Sequence, residues 1–148
     1  TTLTLTRQIN APRDRVWAAW ADPVQLAKWW CPAPWRIKTT KFDFTAGGAF
    51  DSTMYGPEGE EMPARGCFLQ VTPKHKIIFT TLLAEGFQPT PTDFAMTAVI
   101  TLADGPDHST TYTAQVLHKD AQDTQANLEK GFESGGGAAR TKQEPWRT

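Results

Sequence analysis

The fold is decided by the stretch at residues 9–30, INAPRDRVWAAWADPVQLAKWW. Before it, apolar and polar residues alternate from Leu3 to Ile9, which is the period-2 pattern of a half-buried strand. Pro12 is suited to the first turn of a helix, and apolar side chains then recur on one side of the segment up to Ala21. The sequence therefore predicts one strand followed at once by a helix.

A second short helix follows the first. The Asp22-Pro23 pair stops the first helix and can start another, which carries Leu26, Trp29 and Trp30. Both predicted helices are rich in tryptophan, and their apolar sides need a partner. We expect that partner to be the sheet formed by the rest of the chain.

The chain from residue 36 onward has the pattern of strands joined by short turns. Strands are predicted over 36–44, 49–55, 64–72, 77–83, 94–103 and 110–118. Such strands form an antiparallel sheet whose apolar face must be covered. A helix predicted over 120–132 is available to cover it. The predicted fold class is therefore α+β: a curved antiparallel sheet around a C-terminal helix, with two short helices after strand 1.

Composition narrows the classes of function. The 15 basic and 16 acidic residues give a formal net charge of −1, whereas nucleic-acid binding usually requires a basic surplus. No segment approaches the roughly 20 apolar residues that span a bilayer, so we expect no membrane insertion. Cys31 and Cys67 are too few for a disulfide framework. Free thiols and a cytoplasmic location are the favoured interpretation, with one disulfide or a redox role left open.

The aromatic content is unusual for a chain of this length. Six Trp and eight Phe residues are present among 148. Such side chains bury large areas, and a buried Trp also needs an acceptor for its N–H group. A set this large builds a bulky core or lines a cavity, and composition alone does not separate the two.

Several motifs together resemble a known family. The run at 9–20, followed by the pairs at 22–23 and 29–30, is similar to the opening of SRPBCC (START-like) proteins. The segment 43–50 resembles their acidic residue before Gly-Gly-x-aromatic, and 66–80 resembles the strand pair that follows. The branch with the greatest similarity is the AHSA-like one, named for homologues of an activator of a heat-shock chaperone ATPase. The resemblance implies a helix-grip fold.

The resemblance also sets the expected domain limits. It implies a single domain over residues 1–134, whereas 135–148 is an atypical tail that we expect to be mobile. Gly135, Gly136 and Gly137 stand where the family continues its last helix, and each costs about 1 kcal/mol relative to Ala. A second departure is Gln70, which replaces a Glu that is frequent in the family.

The helix-grip resemblance implies an elongated apolar cavity between the sheet and the C-terminal helix. We therefore predict binding of a small hydrophobic or amphipathic ligand, without catalysis and without a cofactor. A homodimer is compatible with the chain length but is not decided by the sequence. The expected cavity residues are Trp17, Trp20, Trp30, Phe50, Met54, Phe68, Phe79, Met96, Tyr112 and Phe132.

Two alternatives remain open. Related helix-grip proteins include polyketide cyclases and dehydratases, for which Tyr112, His118 and Asp43 are the acid–base candidates here, although no motif supports them. The family name suggests an interaction protein that modulates a chaperone ATPase, an inference by fold-level analogy. A metal site is not expected, because the three histidines are far apart and no paired-ligand spacing accompanies them.

Overall fold

The computed structural model describes residues 2–30, 33–92 and 95–118. Over this part of the chain, one strand is followed by two short helices and then by a series of antiparallel strands. The elements are β1 (Thr2–Ile9), α1 (Arg13–Ala21), α2 (Pro23–Trp29), β2 (Arg36–Phe42), β3 (Phe50–Tyr55), β4 (Glu61–Ala64), β5 (Cys67–Thr72), β6 (Lys76–Thr80), β7 (Leu83–Ala84), β8 (Gln88–Pro89), β9 (Thr97–Asp104) and β10 (Thr110–Leu117).

The two helices form where the sequence predicts them. Pro12 occupies the N-cap position of α1 with extended backbone angles and without a side-chain cap. The boundary between the helices is at Asp22, whose carboxylate accepts a hydrogen bond from the backbone N of Val24 at 2.9 Å. Pro23 stands in the first turn of α2, where its missing N–H costs nothing. The Asp-Pro pair therefore both ends α1 and caps α2.

The strands form one large and two smaller sheets. The large sheet is antiparallel throughout, with the order β1-β10-β9-β6-β5. The order β2-β3-β4 makes a three-stranded sheet, and β7-β8 is a short hairpin. The two larger sheets are joined by a bridge between Ala49 and Cys67 and by a hydrogen bond from Phe50 N to Gly66 O at 2.9 Å.

One predicted strand is divided in the structure. The expectation of a continuous strand over 64–72 is wrong, since Arg65 and Gly66 separate β4 from β5. β4 pairs with β3, whereas β5 pairs with β6. A Cβ atom at Gly66 would lie 3.1 Å from the carbonyl oxygens of Phe50 and Thr80. A larger residue would therefore press on two backbone carbonyl groups where the chain passes from one sheet to the other.

Other differences concern ends and loops. The strand expected over 77–83 ends at Thr80, and the described part of the strand expected over 94–103 begins at Thr97. The loop expected over 85–92 contains β8 and a 3-10 turn. The helix predicted over 120–132 and the tail 135–148 lie outside the described residues.

The large sheet has an apolar face, which we call the inner face. On β1 it carries the odd-numbered residues, and strand pairing aligns these with inward side chains of the neighbouring strands. One row, for example, runs from Leu5 through Ala114 and Ile100 to Ile77. The opposite face carries the threonines of β1 between them, so the alternation predicted for this strand is confirmed.

Candidate ligand-binding site

A group of aromatic side chains meets where the helices pack against the strands. The rings make a continuous network, with centroids of neighbouring rings between 4.9 and 6.3 Å apart. We call this group the aromatic cluster. Its members are Trp17, Trp20, Trp29, Trp30, Phe42, Phe44, Phe50, Phe68 and Phe79.

The centre of the cluster is built by the junction of the two larger sheets. The bridge beside Phe50 places its ring on that of Phe68, stacked with centroids 4.9 Å apart and planes 6° apart. Phe79 meets Phe50 edge-on at 5.1 Å, and Trp30 does so at 5.5 Å. Offset and edge-to-face pairs are the favourable arrangements of aromatic quadrupoles. The network therefore fixes α1 and α2 on the sheets.

Burial separates the cluster into a centre and a margin. Phe68 is 0% exposed, Trp20 2% and Phe79 5%, so these rings form solid core. Trp17 and Trp30 are only half-buried and pack against that core from its edge. The margin is where an apolar molecule can reach aromatic surface.

The buried indole nitrogens have acceptors. Trp29 Nε1 donates to the carbonyl oxygen of Ala19 at 3.2 Å, and Trp20 Nε1 donates to the hydroxyl oxygen of Tyr112 at 3.3 Å. Burial raises the pKa of Tyr112 far above its ordinary range, although the bond from Trp20 acts in the opposite direction. Tyr112 therefore keeps its proton and can donate a hydrogen bond.

Arg7 interrupts the apolar inner face. It stands directly opposite Tyr112 across the β1–β10 pair. Its Nη1 donates to the carbonyl oxygen of Thr6 at 3.3 Å, but its buried Nε has no hydrogen-bond partner in the part of the chain that the structure describes. On the described strands of this face the only acidic residue is Asp104, which pairs with Arg13 at 2.7 Å.

The inner face is incompletely buried along its β1 side. Leu3 and Leu5 are half-buried although they point to the same side as buried core residues. Met96, which precedes β9, is also half-buried. Met96 lies two strands away from β1, whereas Leu3, Leu5 and Tyr112 lie on β1 and on its neighbour β10. We call the group of Leu3, Leu5 and Tyr112 the β1 strip.

The structure brings most of the predicted cavity residues together. Met54 is an exception, because it pairs with Ile37 and Met62 in the three-stranded sheet and is not part of the core cluster. Phe132 lies outside the described residues. The others belong to the core cluster or pack against it: Trp17, Trp20, Trp30, Phe50, Phe68, Phe79, Met96 and Tyr112.

Three residues of this region were not singled out from the sequence as candidates. Phe42 is the last residue of β2 and Phe44 follows two residues later, so period-2 spacing could have indicated that they share a face. Arg7 occupies an odd position in the alternation of β1, where the other residues are Leu or Ile. A charged residue at a position of the strand alternation that is otherwise apolar is the signal that could have identified it.

The three acid–base candidates do not form a catalytic arrangement. Tyr112 and His118 are six residues apart along β10 and its end, which corresponds to about 20 Å. His118 is buried at 6% exposure. Asp43 is exposed in a turn, where its carboxylate accepts a hydrogen bond from the hydroxyl of Thr45 at 3.2 Å. Tyr112 and His118 are too distant to act on one bond together.

The cysteine that the structure describes belongs to the core. Cys67 is a fully buried free cysteine whose Sγ lies 3.4 Å from the carbonyl oxygen of Phe68. Among the described residues, no three His, Cys, Asp or Glu side chains are grouped as metal ligands would be. Within the same ranges there is no helix of the length and apolarity required to cross a membrane.

An apolar groove lies at the far end of β10. Its volume is about 240 Å³, and its described lining is mostly apolar. Leu82 and Leu117, which line it, are 49% and 41% exposed. The groove also includes Met96.

The fold has many relatives among solved structures. A protein of Nitrosomonas europaea is 35% identical over 95% of this chain and 89% of its own, with a TM-score of 0.87. A protein of Mycobacterium smegmatis is 31% identical, with coverages of 95% and 86% and a TM-score of 0.79. An AHSA1 protein of Silicibacter pomeroyi, at 18% identity, 95% and 96% coverage and a TM-score of 0.73, shares the fold. A search of curated proteins found no significant match.

These similarities and the observed architecture define the class. The protein is an α+β helix-grip protein of the SRPBCC type, as its sequence motifs suggest. Residues 10–142 match the family model described as "Activator of Hsp90 ATPase homolog 1-like protein". The chain therefore belongs to the AHSA1 family, and the resemblance stated from the sequence is confirmed.

Proposed function

We propose that this protein binds a small hydrophobic or amphipathic molecule at the β1 strip, against the margin of the aromatic cluster. The observation that carries the proposal is the incomplete burial of Leu3 and Leu5, in rows of the inner face whose neighbouring side chains on β10 and β9 are buried. An apolar ligand placed there removes apolar surface from water, which is worth about 25 cal/mol per Å². The proposed role is binding without chemistry, in the cytoplasm.

The mixture of groups supports an amphipathic ligand. Binding sites for small molecules are mainly apolar and contain a few polar groups that orient the ligand. Trp17 and Trp30 offer half-buried rings, whereas Tyr112 offers a hydroxyl held by Trp20. Such a site selects molecules by shape and apolar area first and by one polar contact second.

The proposal is tested with N-phenyl-1-naphthylamine, a neutral dye that fluoresces in apolar sites. We expect saturable binding with a stoichiometry near one, together with a ligand adduct in native mass spectrometry of the purified protein. Trp30→Ala should weaken dye binding about tenfold, because it removes a ring at the margin. The matched control is Val24→Ala, on a side chain that is 65% exposed on α2, and it should leave binding unchanged. Saturable binding with an affinity that Trp30→Ala does not change would mean that the ligand binds elsewhere.

A second candidate is a protein-interaction role, with a homodimer as its simplest form. The supporting observation is the apolar groove, in which Leu82 and Leu117 are both substantially exposed. Exposed contiguous apolar surfaces that are larger than a few side chains are typical of protein–protein interfaces. Sedimentation velocity distinguishes the cases: a dimer that dissociates on Leu117→Ser supports this role, and a monomer at all concentrations excludes the homodimer. An effect on a chaperone ATPase is suggested only by the family description.

A further inference from the structure

We propose that the ligand of the β1 strip carries an anionic group, and that Arg7 and Tyr112 bind it. This inference rests on the proposed function and specifies the class of ligand: an apolar body with one carboxylate. Arg7, whose Nε has no acceptor in the described part of the chain, stands directly across the β1–β10 pair from Tyr112, whose hydroxyl donates to no described residue.

The first donor is the guanidinium of Arg7. Its Nε is buried and has no partner among the described residues, whereas its Nη1 donates to the carbonyl oxygen of Thr6 on the same strand. A buried polar group without a partner is costly and rare in native proteins. A positive charge next to Leu5 and Leu3 is more costly still unless an anion accompanies it.

The second donor is the hydroxyl of Tyr112. Its oxygen accepts the indole N–H of Trp20, which leaves the hydroxyl hydrogen available, and no described residue accepts it. Burial keeps the phenol protonated, so the group donates rather than repels an anion. Directly opposed residues on paired antiparallel strands have Cβ atoms about 5 Å apart. One headgroup can therefore meet both donors.

Charge balance favours an external anion. The acidic residue on the described strands of the inner face, Asp104, is 77% exposed in its side chain and is engaged by Arg13. A carboxylate fits because its two oxygens match the planar donors of a guanidinium. The neighbouring Leu3 and Leu5 would contact the apolar body of the same molecule.

The test compares two probes of equal chain length. Decanoic acid and decan-1-ol are used to displace N-phenyl-1-naphthylamine from the folded, full-length protein at neutral pH. We expect the acid to displace the dye at a concentration at least about tenfold lower than the alcohol does, which corresponds to one charge-assisted contact. Arg7→Met should abolish the preference while the alcohol still displaces the dye. Arg7→Lys should restore part of the preference, because it keeps the charge without the planar fork.

The control is Arg36→Met, on an exposed arginine that lies over the ring of Tyr55 in the three-stranded sheet. It should keep the full preference. Equal displacement by acid and alcohol in the native protein would overturn the anionic headgroup while leaving apolar binding intact. Failure of the dye to bind saturably would overturn both proposals.

Thermal unfolding without added ligand separates a ligand anion from a carboxylate of the chain itself. Removing a half-buried charge that has no acidic partner among the described residues should leave the Tm of Arg7→Met unchanged or higher. If a carboxylate of residues 119–148 already pairs with Arg7, the substitution would leave that carboxylate without its partner. The Tm would then fall by about 5 °C or more. Such a fall would contradict the proposal.

Discussion

The two halves of the inner face differ in how completely they are filled. On the side of β5 and β6, Phe68 and Ile77 are 0% exposed and are enclosed by other core residues. On the side of β1, Leu3 and Leu5 remain half-buried although strand pairing places them in line with that core. The same sheet therefore has a packed half and an open half.

The difference separates stability from function. A side chain in the packed half has close neighbours on every side, so its removal leaves a cavity that the rings around it cannot fill. A side chain in the open half contributes less to folding and offers more surface to a ligand. Substitutions in the two halves should therefore have opposite profiles: large effects on folding in one, and large effects on binding in the other.

The largest expected effect is that of Phe68→Ala in the packed half. It removes a ring that stacks on Phe50 and meets the edges of several others. We expect the free energy of unfolding to fall by about 3–5 kcal/mol, measured by urea denaturation. Phe87→Ala is the matched control because Phe87 is 49% exposed, and it should cost about 1 kcal/mol or less. Equal losses in both variants would mean that the cluster is not tightly packed.

A smaller effect is expected for Tyr112→Phe, at the boundary between the halves. The substitution leaves the indole N–H of Trp20 without its acceptor. The free energy of unfolding should fall by about 1–2 kcal/mol at neutral pH, again by urea denaturation. If the proposed anion site is correct, the preference for decanoic acid should also decrease. A loss of stability with an unchanged preference would assign Tyr112 to the packed half alone.

The same residue predicts a loss of stability at alkaline pH. Its folded-state pKa is raised by burial, so the unfolded chain releases this proton first as the pH rises above about 10. The free energy of unfolding is unaffected by this group below that pH and decreases above it, by at most about 1.4 kcal/mol per pH unit. Tyr112→Phe should reduce this alkaline slope relative to the native protein. An unchanged slope in the variant would show that the hydroxyl is not shielded.

Much of this fold could be predicted from local sequence because its signals are strong. The alternation of β1 and the Asp22-Pro23 pair depend on local backbone chemistry, which the tertiary structure does not override. The break at Gly66 was missed, since it results from the approach of two carbonyl groups from distant strands. In the sequence, a long-range contact of that kind is visible only as a glycine. A glycine within a strand pattern can equally indicate a bulge, a bend or the close approach of another backbone.

The candidate site could be predicted only in outline. The aromatic residues were identified by composition and resemblance, but only the structure divides them into a buried centre and a half-buried margin. Met54 shares a face of β3 with Phe50 but lies farther along the strand, opposite Ile37 and Met62 and outside the core cluster, and the sequence does not show which strands flank β3. Arg7 has a visible signal, an arginine at an otherwise apolar position of the strand pattern, but its importance depends on an Nε that has no hydrogen-bond partner among the described residues.

The smallest effect on folding is expected for Leu5→Ala, in the open half. Leu5 and the buried Ile77 belong to the same row of the sheet, so the pair compares the two halves at equal register. Leu5→Ala should lower the free energy of unfolding by about 1 kcal/mol, since part of its surface already meets water, whereas Ile77→Ala should cost about 2–4 kcal/mol. Binding of N-phenyl-1-naphthylamine should show the reverse order, with a severalfold weaker affinity for Leu5→Ala and a nearly native one for folded Ile77→Ala. If Leu5→Ala weakened folding as much as Ile77→Ala and left dye binding intact, the β1 strip would be ordinary core, and a ligand would have to bind elsewhere.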